Sequence, residues 1–335
     1  MTRPLTIIAE AGVNHDGDVH KAIALVRAAR KAGADIVKFQ YFQTDTIVAA
    51  GAKSAAYQQA NTGIADQSSL LRSLELSLED YARVAAACRD EGIGFLCTSF
   101  DTNAIAALVA LGMPALKIPS GELTNHPMLK AYAGQGLPVW LSTGMGTLAE
   151  VGVALAVLDA AGATDVTILH CTSIYPAPVD ALNLLAIGTL AQSFGRPVGY
   201  SDHSLDDHAS VAAVALGAQL IEKHFTLDCN SPGPDHRASL EPAAFAQMVR
   251  RLRETSAMLG DGVKRPVPAE METARLVRRS WHSTRDLRAG DVISSRDIVL
   301  LRPATGIAPS QGIEGRRLVR DVRVNSAINT DDIAP

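Results

Sequence analysis

The sequence predicts an α/β protein: a (β/α)8 TIM barrel followed by a small β-rich domain. Three observations carry that expectation. Short β-branched runs recur through the first 260 residues, Ala/Leu/Glu/Arg-rich stretches with apolar residues three and four apart separate them, and glycine pairs close several of these stretches. Strands are expected at Leu5–Ala11, Asp35–Tyr41, Gly94–Ser99, Ala115–Pro119, Pro138–Ser142, Val166–His170, Pro197–Tyr200 and Gln219–Lys223. Helices are expected between them, at His20–Ala32, Ser77–Glu91, Thr102–Leu111, Leu148–Ala161, Ser204–Gly217 and Pro242–Leu259 among others. Gly33-Ala34, Gly112-Met113, Gly162-Ala163 and Gly217-Ala218 follow helical stretches, where glycine supplies a left-handed cap. The near-continuous apolar character of the strands fits a parallel sheet buried on both faces.

One connection departs from the short loops of such a barrel. From Phe42 to Ser77 the chain inserts a segment carrying Gln58, Gln59, Asn61 and Gln67 among alanines. Loops of that length are functional or disordered, and on a barrel this one would overhang the C-terminal mouth. After the first 260 residues the pattern changes. Residues 261–279, with Gly262, Pro266 and Pro268, read as a linker, and residues 280–335, with short alternating runs broken by glycines, read as the second domain.

Composition narrows the function. The 335 residues carry 31 basic and 35 acidic side chains, a net charge of −4, and 47% hydrophobic residues, which excludes a disordered chain and argues against nucleic-acid binding. Cys88, Cys97, Cys171 and Cys229 form no C-x-x-C pair, which suits a reducing cytoplasm rather than a disulfide framework. Glu10 interrupts the N-terminal apolar stretch before it can serve as an export signal. The tract Val151–Leu158, ended by Asp159, is far short of the roughly 20 residues of a membrane span. A cytoplasmic protein with no membrane partner is expected.

In a TIM barrel the C-terminal strand ends form the active-site mouth. Here those ends carry Glu10, Asn14 and His15; Lys38 and Gln40; Thr98; Lys117, Ser120 and Glu122; Ser142; Ser173 and Tyr175; Ser201 and His203; and Glu222 and His224. Burying so many polar groups without partners is costly, so their collection at one place points to a site. Lysines with hydroxyls make a donor set for phosphate or carboxylate. His203 and His224, on adjacent strands, can reach one metal ion, and an oxygen and imidazole set without thiolates suits Mn²⁺ or Mg²⁺. Gly144-Met-Gly-Thr-Leu-Ala149 matches the dinucleotide fingerprint G-x-G-x-x-A, but the acid some 20 residues on, Asp165, precedes the next strand instead of ending it. The turn therefore either contacts phosphate or packs tightly.

These segments resemble the sialic acid synthase family, which comprises N-acetylneuraminate synthases and their legionaminic and pseudaminic acid relatives. The resemblance rests on IIAEAGVNHDGD from Ile7, KFQ at Lys38, KIPSGE at Lys117, HCTSIYPAP at His170, GYSDHS at Gly199, EKHFTLD at Glu222 and GPDHRASLEP at Gly233. RRSW at Arg278, DLRAGDVI at Asp286 and LRPATGI at Leu301 resemble the family's antifreeze-like (SAF) domain. The resemblance implies a metal-dependent condensation of phosphoenolpyruvate with open-chain N-acetylmannosamine, releasing phosphate. A 2,4-diacetamido-2,4,6-trideoxyhexose, giving legionaminic or pseudaminic acid, is the alternative. A non-catalytic carbohydrate-binding protein is the alternative of another class.

By resemblance, His203 and His224 hold the metal (Mn²⁺ first, Mg²⁺ or Co²⁺ as alternatives), which polarises the aldehyde. Lys38, Thr98, Lys117, Ser120, Ser142, Ser173 and Ser201 are expected to hold phosphoenolpyruvate. Ser173 stands where the family often has asparagine. Glu122 is expected to handle the attacking water, and Glu10 matches a second family acid. Gln40, Tyr175 and Asp235 resemble sugar-binding positions. Arg302 resembles an arginine offered to the barrel of the other subunit, which implies a domain-swapped homodimer.

Overall fold

A computed structural model describes residues 5–335; the first four residues of the expected barrel domain lie outside the described residues. Two compact units are present, the first running to Asp261 and the second spanning Gly262–Pro335.

In the first unit the strands are β1 (Thr6–Gly12), β2 (Ile36–Tyr41), β3 (Gly94–Ser99), β4 (Leu116–Ile118), β5 (Val139–Ser142), β6 (Val166–Cys171), β7 (Val198–Asp202) and β8 (Leu220–His224). They form one sheet in the order β3-β2-β1-β8-β7-β6-β5-β4, with parallel pairing throughout. The wrap is that of a (β/α)8 barrel. Between β3 and β4 the closure comes from side chains: Thr98 Oγ1 donates to the Lys117 carbonyl at 3.2 Å, and the Cys97 amide donates to Met113 Sδ at 3.2 Å.

The helices of this unit are α1 (Val19–Lys31), α2 (Thr44–Ile47), α3 (Ala56–Thr62), α4 (Gln67–Arg72), α5 (Leu78–Glu91), α6 (Ile105–Ala110), α7 (His126–Ala133), α8 (Leu148–Ala160), α9 (Ala186–Phe194), α10 (His208–Ala215) and α11 (Pro242–Leu259). Local chemistry sets their ends. Asp18, Asp66, Ser77, Asn125 and Thr147 each accept a backbone N–H of the first turn. Gly33, Gly112, Gly162 and Gly217 follow the last turns with φ of +90°, +99°, +94° and +101°, as the sequence predicts. The core lies between strands and helices and includes Ile7, Leu25, Val37, Leu96, Tyr132, Leu141, Ile168, Ile221, Phe225 and Phe245.

The insertion after β2 is ordered. It folds into α2, α3 and α4 around a small apolar cluster of its own: Val13, Phe42, Leu70 and Leu74, with Ile47, Ile64, Leu71 and Phe100 against them. Glu75 accepts the Thr44 amide at 2.7 Å, and Asp45 pairs with Arg72 at 2.7 Å.

In the second unit the stretch expected as a linker contains a helix, α12 (Pro268–Val277), started by proline at its first turn. Beyond it β9 (Ser280–Ser283) and β10 (Ile298–Leu301) pair antiparallel, and isolated bridges such as Leu287↔Val322 and Val292↔Arg317 tie the loops. Regular strand is scarcer than the alternation suggests, because glycine turns leave runs too short to ladder. A separate core of Leu287, Ile293, Ile307, Ile313, Leu318, Val322, Ile328 and Ile333 holds this unit. Among the described residues no helix is long and apolar enough to cross a membrane.

Candidate active site

Period-two alternation along parallel strands sends every second side chain into the barrel. Register sets Glu10 beside Lys38 on one flank and His224 on the other, and Ser201 beside Glu222. Just past Glu10 the β1–β2 register slips, and Gly12 sits at φ +52°. A Cβ there would lie 3.2 Å from both Gln40 Nε2 and Glu10 Oε1, so the kink brings backbone close to these two side chains.

The strand ends open into a cavity of about 400 Å³, in the range of small-molecule sites. Of the residues singled out in the sequence, Glu10, Lys38, Gln40, Lys117, Ser120, Ser142, Ser173, Tyr175, Ser201, His203, His224 and Asp235 line it.

Three do not. Thr98 is buried, and its hydroxyl bonds across the β3–β4 seam in place of facing the cavity. Glu122 lies in a single 3-10 turn after β4, and its Oε2 accepts from Asn125 Nδ2 at 2.6 Å, which holds the carboxylate at the start of α7 and out of the cavity wall. Arg302 follows β10 in the second unit and is exposed. The lining also includes Tyr57, Gln58, Gln67, Cys171 and Met145, which have no role assigned from the sequence, and Glu222, named among the strand-end residues without a role. Glu222 stands two residues before His224 and so shares its face. Gln58 and Gln67 belong to the insertion expected to overhang the mouth, and no local pattern marks Tyr57, Cys171 and Met145.

The floor is a buried quartet of charges. Lys38 Nζ lies 2.9 Å from Glu10 Oε2 and 3.6 Å from Glu222 Oε2, while Lys117 Nζ lies 3.6 Å from Glu222 Oε1. Gln40 donates to Glu10 at 2.7 Å and Ser201 to Glu222 at 3.1 Å. Burial alone would depress Lys38, but Glu10 and Glu222 hold its pKa above the ordinary value. Lys117 is lowered, burial outweighing the pull of Glu222. Burial raises Glu10 in spite of Lys38, and Glu222, also buried, is held below the usual range by Lys117 and Lys38. The two carboxylates therefore differ in proton affinity, the arrangement that separates acid and base roles.

On one side Ser120, Ser142 and Ser173 gather around the turn after β5. Ser120 accepts the Gly144 amide at 2.9 Å, and Ser142 Oγ is buried without a hydrogen-bond partner. A Cβ on Gly144 would meet Ser173 Oγ at 2.2 Å, Cys171 Sγ at 2.8 Å and Ser120 Oγ at 2.9 Å. The first glycine of the fingerprint-like turn is thus a packing requirement of this hydroxyl cluster.

At the ends of the neighbouring strands β7 and β8, His203 and His224 lie with ring centroids 5.4 Å apart, and Tyr175 packs 4.3 Å from His203. His203 Nδ1 contacts the Thr172 carbonyl at 2.7 Å, which leaves Nε2 as a lone-pair donor. His224 Nδ1 is buried with no hydrogen-bond partner, 4.0 Å from Asp235. Burial lowers both imidazole pKa values, most for His224, so both rings are held neutral. Two neutral imidazoles with an orphaned nitrogen fit a divalent ion that takes its remaining ligands from water or substrate. Among the described residues no group of three or more His, Cys, Asp or Glu forms a ligand set. Asp235, buried and near the Glu10 charge, is pushed up to about 7.

The sequence pattern of the NeuB family matches residues 25–264. The chain belongs to this sialic acid synthase family. Within it, the chain is 45% identical over 329 residues to an N,N'-diacetyllegionaminic acid synthase of Legionella pneumophila, covering 96% of this chain and 92% of that protein. A protein of the same name from Campylobacter jejuni is 43% identical, covering 90% and 91%. The crystal structure of N-acetylneuraminic acid (sialic acid) synthetase from Leptospira borgpetersenii serovar Hardjo-bovis, in complex with citrate, superposes with a TM-score of 0.73 at 32% identity, covering 81% of this chain and 90% of that one.

Proposed function

We propose that this NeuB family member condenses phosphoenolpyruvate with open-chain 2,4-diacetamido-2,4,6-trideoxymannose to give a legionaminic acid. The observation that carries the substrate is similarity along nearly the whole chain: 45% and 43% to two diacetyllegionaminic acid synthases, against 32% to the N-acetylneuraminic acid synthetase. N-acetylmannosamine, the substrate first implied by the strand-end motifs, is the second reading. The chemistry is common to both. C3 of phosphoenolpyruvate attacks the aldehyde carbon, whose oxygen takes up a proton to become a hydroxyl. C2 becomes an oxocarbenium, water adds there and gives up a proton, and the C2–O bond to phosphate breaks, releasing phosphate and leaving the C2 ketone in its hydrated or ring-closed form.

This chain's residues divide that work. Lys38, Lys117, Ser120, Ser142, Ser173 and Ser201 hold the phosphate and carboxylate, with the unpartnered Ser142 hydroxyl ready to donate. Glu10, whose carboxyl burial pushes above the usual range, handles the trapping water. Glu122 would reach the cavity only by releasing Asn125. Gln40, Tyr175 and Asp235 orient the sugar. His203 and His224 hold a divalent ion, Mn²⁺ or else Mg²⁺ or Co²⁺, which when bound supplies Lewis-acid polarisation of the aldehyde.

The second unit is assigned to the antifreeze-like domain, and Arg302 to the barrel of a second copy in a homodimer. Mixing inactive Arg302→Ala and His203→Ala chains then restores part of the activity, and a mixture that stays inactive counts against the shared site. The deciding assay follows phosphate release from phosphoenolpyruvate with Mn²⁺, offering either sugar. Higher kcat/KM for the diacetamido sugar is expected. Efficient turnover of N-acetylmannosamine with none of the diacetamido sugar overturns the reading.

A further inference from the structure

We infer that the insertion after β2 builds a specificity subsite, with Gln67 and Leu71 of α4 reading the 4-acetamido group and the C6 methyl of the sugar. The inference rests on the diacetamido reading above and goes further, because it names the residues that choose this sugar over N-acetylmannosamine.

The cavity has two unlike halves. Its floor at the strand ends is ionic, but the wall contributed by the insertion and its neighbours carries no charge: Ile47, Leu71, Leu74 and Phe100 are apolar, joined by Tyr57, by Gln58, whose Oε1 accepts the Ala55 amide, and by the amide of Gln67. The insertion is not short of charge. Asp45 pairs with Arg72, Asp66 caps Ser69, and Glu75 accepts the Thr44 amide, and none of these four charged side chains lines the cavity. The wall is also rigid, because Leu71 and Leu74 belong to the separate apolar cluster that includes Phe42 and Leu70.

Gln67 and Leu71 stand four residues apart in α4 and so share one face, and both line the cavity. Among the described residues Gln67 is half-buried, its backbone amide donates to the Ala52 carbonyl, and its side chain makes no hydrogen bond. A primary amide offers a donor and an acceptor together, which matches the C=O and N–H of an acetamide reciprocally. The flanking apolar surface accepts a methyl group. N-acetylmannosamine would instead press hydroxyls at C4 and C6 against this wall, stripping water from them and leaving Gln67 half-matched, a cost that favours the deoxy sugar.

The test compares kcat/KM for the two sugars, with KM for phosphoenolpyruvate, in the wild type, Gln67→Ala and Leu71→Asn. Gln67→Ala is expected to lower kcat/KM for the diacetamido sugar about tenfold more than for N-acetylmannosamine, and Leu71→Asn to narrow the preference by about 10- to 100-fold. KM for phosphoenolpyruvate stays within about twofold, which shows that the ionic floor is intact. A wild type that prefers the diacetamido sugar, with variants that keep its preference unchanged, overturns the subsite and leaves the proposed function standing. A wild type that prefers N-acetylmannosamine overturns the function and the subsite together. Should Leu71→Asn lose phosphoenolpyruvate binding through misfolding, Gln67→Ala decides, since Gln67 belongs to no apolar core.

Discussion

Replacing Lys38 with methionine tests the buried quartet. Lys38 is nearly inaccessible, 2.9 Å from Glu10 and 3.6 Å from Glu222. At an effective dielectric of 20 those separations correspond to gross attractions of about 6 and 5 kcal/mol, most of which offsets the cost of taking the charges out of water. Methionine keeps the volume but leaves two buried carboxylates facing one lysine, and breaking such a pair destabilises by about 3–5 kcal/mol.

The loss depends on pH. Without Lys38, burial raises Glu10 further above its unfolded value, so its proton is retained in the fold and its ionisation penalised. The cost is therefore small near about pH 4.5 and grows as pH rises towards 8. Urea unfolding of Lys38→Met across this range measures it. Lys38→Met/Glu10→Gln, with one carboxylate and one lysine left, recovers part of the stability at pH 8. A loss below about 1 kcal/mol that ignores pH would refute the claim that this quartet is buried and mutually compensating.

Three further outcomes are expected. Gly144→Ala forces a Cβ into the Ser120–Cys171–Ser173 cluster, costs about 1–3 kcal/mol and raises KM for phosphoenolpyruvate about tenfold or more; unchanged kinetics would mean these hydroxyls do not hold it. His15, whose pKa burial lowers to about 4, is neutral in the fold, so protonation of the unfolded chain removes about 3 kcal/mol as pH falls from about 6.5 to about 4. His15→Asn should flatten that part of the stability curve, and an unaltered slope would place its source elsewhere. Glu10→Gln lowers kcat by about 100-fold or more; an equal loss in Glu122→Gln would show that Glu122 leaves Asn125 to act in the cavity.

Much of this molecule is legible from one dimension because a (β/α)8 barrel is built from local repeats. Strand and helix periods, the capping glycines and the functional strand ends follow from neighbours a few residues apart. Their position at strand ends marked Glu10, Lys38, Gln40, Ser201 and Glu222 before any coordinates, and all five line the cavity. What needed the fold was the use each polar group makes of its partners. Thr98 shares the inward face with Gln40, yet its hydroxyl bridges to Lys117, because β3 and β4 close the barrel without a backbone ladder. Glu122 sits in a family-like motif, yet an asparagine three residues on holds its carboxylate. The wall of Ile47, Leu71 and Leu74 is assembled from a segment whose apolar residues are scattered among alanines, serines and glutamines with no single clear period. Period and capping act within one segment and can be read along the chain. Which donor finds which acceptor, and which insertion folds over which strand end, depends on residues far apart in sequence that only chain closure brings together.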